Sequence, residues 1–422
     1  MDTEIKLPKL IRVRQQFETP VLEDISQEIF SQIDRLKLFS KIKKDQTVAI
    51  GCSSRGIANY AEIVKATVQK FQELGLKPFL FPAMGSHGSA SSEGQKKVLE
   101  NYGVSEKKMG VPIQSSLNVI EIGETGDGIP VYIDQLAMNA DHIVLINRVK
   151  MHTEFEADIE SGLMKMMAIG LGKKIGATRY HQAIMEYGYY HTIRTIAHSV
   201  LETGKILFGV GIVENGLSQT AKIGVLPPET LEEDEKELLK IAKRLFARLP
   251  FEDVDVLVID EMGKDISGTG FDSKVVGRIH MPLIAEEPAS PRIKRIVVCN
   301  LTKKTEGNAD GVGLADFVTQ HLVDKIDLNA LYVNAIAGAE PEHAKIPLTL
   351  KNDRDAVQVA IGSIGLIPTE KLKIMRIKNT ISLSEVILSD AYQSEVSKRA
   401  DLELIDESKP MAFGANGNLT PF

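Results

Sequence analysis

Residues 47–82 hold two buried-strand patterns joined by one helical pattern, and nothing else in the chain limits its fold as tightly. Thr47-Val-Ala-Ile-Gly-Cys-Ser-Ser is an apolar strand that runs into a loop of small residues. Over 60–74, apolar residues recur at helical spacing (Ile63, Val64, Ala66, Val68, Phe71, Leu74), and Gly75 supplies the stop. Pro78-Phe-Leu-Phe-Pro is the next strand and ends in the loop Ala83-Met-Gly-Ser-His-Gly-Ser. A strand, a helix and a strand with short connections form a βαβ unit, which requires a parallel sheet. His142-Ile-Val-Leu-Ile-Asn is a further buried strand. Open parallel sheets bind ligands at loops beyond the carboxyl ends of their strands, so 52–56, 85–88 and 148–152 are the candidate loops.

The chain, at 422 residues, is too long for one ordinary domain. A strongly charged helical pattern over 231–249 ends at Pro250, and Val254-Asp-Val-Leu-Val-Ile-Asp then opens a second α/β pattern. That pattern continues with Arg295-Ile-Val-Val-Cys-Asn, a helix near 314–326, a strand near 330–335 and a helix over 354–365. The expectation is two α/β domains, 1–250 and 251–403, with mainly parallel sheets and a cleft between them. The tail 404–422 is expected to fold back onto the first.

Composition narrows the function classes. An apolar fraction of 43% and a charged fraction of 25% are those of a soluble globular protein. A formal charge of −7 argues against nucleic acid held on a broad basic surface. No apolar run is long enough to span a bilayer, and the first residues lack the basic-then-apolar pattern of a secretory signal. Cys52 and Cys299 are the only cysteines and lie far apart, so no disulfide framework is expected, and a reducing cytoplasm is the natural setting.

The segment 149–181 concentrates reactive groups: His152, Lys165 and His181, the last two sixteen residues apart. A neutral lysine amine is a nucleophile and can anchor a group covalently. Imidazole ligates borderline metals and moves protons near neutral pH. Commoner motifs do not fit. Gly170-Leu-Gly-Lys-Lys-Ile-Gly lacks the dinucleotide spacing and follows a helical pattern. There is no Walker A loop, no Gly-x-Ser-x-Gly elbow and no Cys-x-x-Cys pair.

Cys52-Ser-Ser-Arg55, Gly85-Ser-His87, His152, Lys165 and His181 stand in the order found in nickel-pincer lactate racemases, which the chain resembles over most of its length. The interval from Lys165 to His181 matches too, and the stretch from Glu261 to Arg278 is similar to uncharacterised relatives of those enzymes. The resemblance implies a racemase or epimerase of a 2-hydroxy acid that works by proton-coupled hydride transfer to a nickel-pincer nucleotide. It assigns Lys165 as the covalent tether of that nucleotide and His181 as its nickel ligand. His87 and His152 become the opposed proton carriers, and Arg55 faces the substrate. Ser53, Ser54, Lys173 and Lys174 fall by position near the cofactor phosphate. The implied partners are a small hydroxy acid and the cofactor-making enzymes, with no nucleic acid and no membrane. Protein from a host without that pathway is expected to be apo.

The sequence also departs from those racemases. Cys52 stands where they carry an aspartate, and His152 lies thirteen residues before Lys165, a longer interval than theirs. Their substrate-holding glutamine and lysine have no clean counterpart; Lys264, Asp272 and Lys274 are nearest. A substrate other than lactate, larger and more polar, is the expectation. Each residue also has a plainer reading: His87 as a helix cap, His152 and His181 as satisfied histidines, Lys165 as a stem covering apolar surface, Cys52 as a small buried hydrophobe, His191 and His198 as structural, and the Glu232–Glu237 run as a solvated helix face. Two other functions stay open, a non-catalytic nucleotide- or acid-binding protein on the same scaffold and a nicotinamide-dependent oxidoreductase.

Overall fold

The computed structural model describes residues 5–38, 41–54, 56–85, 87–88, 91–281 and 285–422. It contains α/β sheets, mixed but mostly parallel, in two compact units: Thr19–Phe246, and Met1–Glu18 together with Ala247–Phe422.

The first unit has a five-stranded sheet in the order Lys77–Pro82, Thr47–Cys52, His142–Arg148, Ile206–Glu214 and Thr220–Leu226. The first four strands are parallel and the last is antiparallel. The two-residue strand period divides the core between the faces of the sheet. Ala49, Phe81 and Leu145 pack on one side, and Ile50, Leu80 and Val144 on the other. Each fully buried Ile or Leu here contributes about 1.5–3 kcal/mol of hydrophobic stabilisation. The helix Tyr60–Glu73 covers the second face, where Phe71 stacks on Phe208 with ring centroids 5.6 Å apart. Gly75, at φ +75°, ends that helical run in a conformation that costs glycine little.

In the second unit the parallel strands Leu348–Leu350, Phe317–Thr319, Arg292–Val298, Asp253–Ile259 and Ile374–Ile377 lie in that order. Glu385–Ser389 adds antiparallel, followed by Lys9–Gln15, which pairs in turn with Leu402–Leu404 and Lys409–Pro410.

Several expectations need correction. The N-terminal strand belongs to the second unit, and the tail pairs with that strand rather than folding onto the first unit. The residues near 330–335 are helical, within Leu328–Gly338. The Asp327 carboxylate caps that helix by accepting from the N–H groups of Asn329 (2.9 Å) and Ala330 (3.1 Å). The stretch near 314–326 is a short strand, Phe317–Thr319, and one helical turn, Gln320–Val323, because the Thr319 hydroxyl caps a turn at the strand's end.

Candidate active site

The strand His142–Arg148 leaves the sheet into a loop that returns on itself. Lys150 and Ser161 exchange backbone hydrogen bonds (2.9 and 3.1 Å), and Asn147 donates from its side chain to the Gly162 carbonyl (2.8 Å). The buried Glu160 carboxylate holds the loop from inside. It accepts from the His152 N–H (2.6 Å) and the Ala157 N–H (3.3 Å), and it pairs with the Lys243 ammonium (2.7 Å). Charge-assisted bonds of this kind are the stronger ones and fix a loop firmly.

His152 is buried, its ring centroid 4.5 Å from that of Phe155 and 5.3 Å from that of Tyr189. Phe155 and Tyr189 stack on each other at 4.7 Å, and the Tyr189 hydroxyl donates to Glu154. The Glu154 N–H donates to His152 Nδ1 (3.1 Å), while Nε2 contacts the Lys165 amine. Burial pushes the His152 imidazole well below its usual range, so the ring is neutral. Because Nδ1 accepts, the ring proton sits on Nε2 and points at Lys165. That arrangement is satisfied when the Lys165 amine is unprotonated and accepts, which is the nucleophilic form.

Lys165 ends the short helix Leu163–Lys165, which continues as a π-helical turn, Met166–Gly170, and then as the helix Lys173–Tyr187. Such π-turns recur at functional sites. Met164, Met166 and Met167 are buried around Lys165, which is itself half-buried. His181, also half-buried, rides on the third helix within electrostatic reach of His152. The half-buried His87 follows Gly85. A Cβ at Gly85 would stand 3.1 Å from the Ala177 Cβ and 3.3 Å from Ile169, so this loop packs one turn before His181. The buried Gln95 amide holds the loop by donating to the carbonyls of Met84 (3.2 Å) and Gly85 (3.0 Å).

His152, Lys165 and His181 therefore come together, with the His87 loop packed on the same helical segment. Arg55 lies outside the described residues. Ser53 is buried: its N–H donates to the Tyr60 hydroxyl (2.6 Å), and among the described residues its own hydroxyl has no partner. Ser54 is half-buried and Lys174 exposed.

Lys173 does not fit the expected phosphate role. Its ammonium is fully buried and directed to Asp134 (2.9 Å), the Pro82 carbonyl (2.5 Å) and Gln95 Oε1 (3.3 Å). Its three donors are thus engaged inside the fold. In the second unit, the Lys264 ammonium bonds Asp310 (2.5 Å) and the Gly268 carbonyl (2.5 Å). Asp272 is buried and caps the turn Ser273–Val276 by accepting from the Lys274 N–H (3.0 Å). Lys274 is buried as well.

The plainer readings hold elsewhere. Cys52 is buried and burial raises its thiol to about 12, so it behaves as a small hydrophobe. His191 pairs with Asp127 (2.7 Å) and His198 with Glu232 (2.5 Å). The charge run at 232–237 is not wholly solvated, because Glu235 is fully buried. Glu160, Glu235, Phe155 and Tyr189 escaped the sequence reading. For Glu235 a signal existed: it falls on the apolar stripe of its helix with Leu231, Leu238, Leu239 and Ala242.

Residues 4–189 match the family model of the lactate racemase N-terminal domain. That stretch is thus similar to the N-terminal domain of lactate racemases. Its fold is similar to that of the lactate racemase apoprotein from Thermoanaerobacterium thermosaccharolyticum, at 12% identity and a TM-score of 0.52, over 88% of this chain and 94% of that one. The chain has no match among curated proteins. No helix among the described residues is long and apolar enough to cross a membrane.

Proposed function

We propose that this chain inverts the stereocentre of a 2-hydroxy acid with a nickel-pincer nucleotide tethered to Lys165. The observation that carries this reading is the contact of a neutral imidazole with a lysine amine, with a second histidine close by, inside the lactate racemase N-terminal domain.

The residues fit such a group. Among the described residues no cluster of three or more His, Cys, Asp or Glu side chains is arranged to hold a metal. A metal at His181 would therefore draw its other ligands from a bound group, which a pincer nucleotide brings with it. When bound, that nucleotide supplies an acceptor and donor of hydride. The chain's own residues do the rest. The Lys165 amine would hold the nucleotide, with the neutral His152 imidazole against it. His181 offers one imidazole to the metal. His87 would hold and return the proton of the substrate hydroxyl, and His152 shares that task only by giving up the bond that its Nδ1 accepts from the Glu154 N–H. Ser53, with its buried hydroxyl, and Lys174 remain the candidates for the phosphate, and Arg55 for the substrate carboxylate.

We place the substrate among larger, polar 2-hydroxy acids rather than lactate. The segment Gly263-Lys-Asp-Ile-Ser-Gly-Thr-Gly-Phe-Asp-Ser-Lys274 replaces the racemase substrate residues and is rich in hydroxyls, charge and backbone polar groups. Such a segment can hydrogen-bond to the additional hydroxyls of a larger acid, which lactate lacks. The test is to co-produce the chain with the cofactor-making enzymes and assay stereoinversion in D2O across a panel of hydroxy acids that includes lactate and sugar acids. Inversion of a sugar acid without deuterium at C2 is expected. Rapid C2 deuteration, or lactate as the best substrate, contradicts this reading.

A further inference from the structure

Glu235 is a fully buried carboxyl on the helix Leu231–Leu245, the element whose sequence is otherwise crowded with solvated charge. One of its oxygens, Oε2, accepts from the N–H of Leu163 (2.7 Å) and of Met164 (3.0 Å). These two N–H groups open the short helix that ends at Lys165. They have no partner inside their own helix, so a side chain from elsewhere must satisfy them. The other oxygen, Oε1, is buried with no hydrogen-bond partner among the described residues. Burial holds the acid up at about 7, with the two backbone bonds opposing.

Space is reserved for this contact. A Cβ on Gly162 would stand 2.6 Å from the Glu235 Cδ, so only glycine lets the carboxyl approach. Gly162 is extended there, at φ 178°, so the requirement is one of room rather than of backbone conformation. The Gly162 carbonyl is held in turn by Asn147, at the end of the strand that leads to His152. Glu235 thus seats the start of the helix and Asn147 joins it to the strand. Lys165, two residues beyond Leu163, is brought onto His152.

We propose that Glu235 is a positioning residue: by capping Leu163 and Met164 with one oxygen, it holds the Lys165 amine against His152 and so keeps that amine nucleophilic. The proposal rests on the reading of Lys165 as a tether, but its test needs no cofactor. The oxygen acts as an acceptor, so an amide can replace it and an alkyl group cannot.

The experiment is competitive labelling of the purified chain with a trace amine-acylating reagent across pH 6–10. Peptide mass spectrometry reads Lys165 against exposed Lys174 and Lys240. In the native chain Lys165 should label at lower pH than those two. Glu235→Ala should cut Lys165 labelling at pH 7 by about tenfold and speed hydrogen exchange at Leu163 and Met164, while Glu235→Gln stays within about twofold of native. Gly162→Ala should reproduce the loss with Glu235 intact, and adding Glu235→Ala to it should cause little further loss. If Glu235→Ala does not fold, Glu235→Gln and Gly162→Ala decide the matter. Native labelling in folded Glu235→Ala or in Gly162→Ala overturns the proposal, and so does loss of labelling in folded Glu235→Gln. If these shifts occur but Lys165 never carries an adduct in co-produced protein, the tether reading fails while the positioning role stands.

Discussion

His152 Nε2 rests directly against the Lys165 amine, and its Nδ1 is already occupied by the Glu154 N–H. The imidazole is thereby oriented, neutral and directed at a potential nucleophile. Removing the ring should free the amine to protonate. His152→Gln is expected to lower acylation of Lys165 at pH 7 by about tenfold without unfolding the chain. Labelling unchanged from native would show that His152 does not control the amine.

His87 follows Gly85, whose loop packs on the helical segment that carries His181. His87→Ala should abolish interconversion by co-produced protein and leave Lys165 modified. Intact-mass analysis beside the activity assay separates the two effects. Loss of the modification would move His87 into the cofactor's surroundings.

Two buried groups give stability opposite pH dependences. Glu235 is raised from 4.5 to about 7, so the fold favours its protonated form. That contribution is complete below about pH 4.5 and is lost as pH rises through about 7, a change on the order of 3 kcal/mol. His152 is depressed, so its contribution is present above about pH 6.5 and lost as pH falls. Urea unfolding should show Glu235→Gln gaining on the native protein between pH 5 and 8. A constant difference across that range would mean Glu235 does not titrate there.

Lys173 is predicted to be structural. Lys173→Met leaves Asp134 buried and unpaired, and should cost about 3–5 kcal/mol in unfolding free energy, whereas Lys174→Ala should cost under about 0.5 kcal/mol. Thermal and urea unfolding check both. An unchanged stability in Lys173→Met would show that the buried ion pair is dispensable.

Much of this was legible in the chain. The strands Thr47–Cys52, Lys77–Pro82 and His142–Arg148 were readable because parallel strands buried on both faces appear as continuous apolar runs. The direct contact of His152 with Lys165 was not, because it depends on how Glu160, Ser161 and Asn147 turn an irregular loop back on itself, which no periodic pattern in the sequence records. Leu328–Gly338 was misread as a strand because its apolar residues run around the helix without a clear stripe; Leu331 is buried while Ile336 is exposed. Lys173 and Lys174 are adjacent in sequence, yet one is a core ion pair and the other is solvated. Sequence could not separate them, because the partner that buries Lys173 is Asp134, at the end of another strand.

The central claim is that Lys165 carries the cofactor, and intact-protein mass with peptide mapping tests it most directly. Chain co-produced with the nickel-pincer synthesis enzymes should gain the mass of the nucleotide on the peptide containing Lys165, and Lys165→Ala should gain none. Unmodified Lys165 in such protein, or an adduct that persists in Lys165→Ala, would contradict the account.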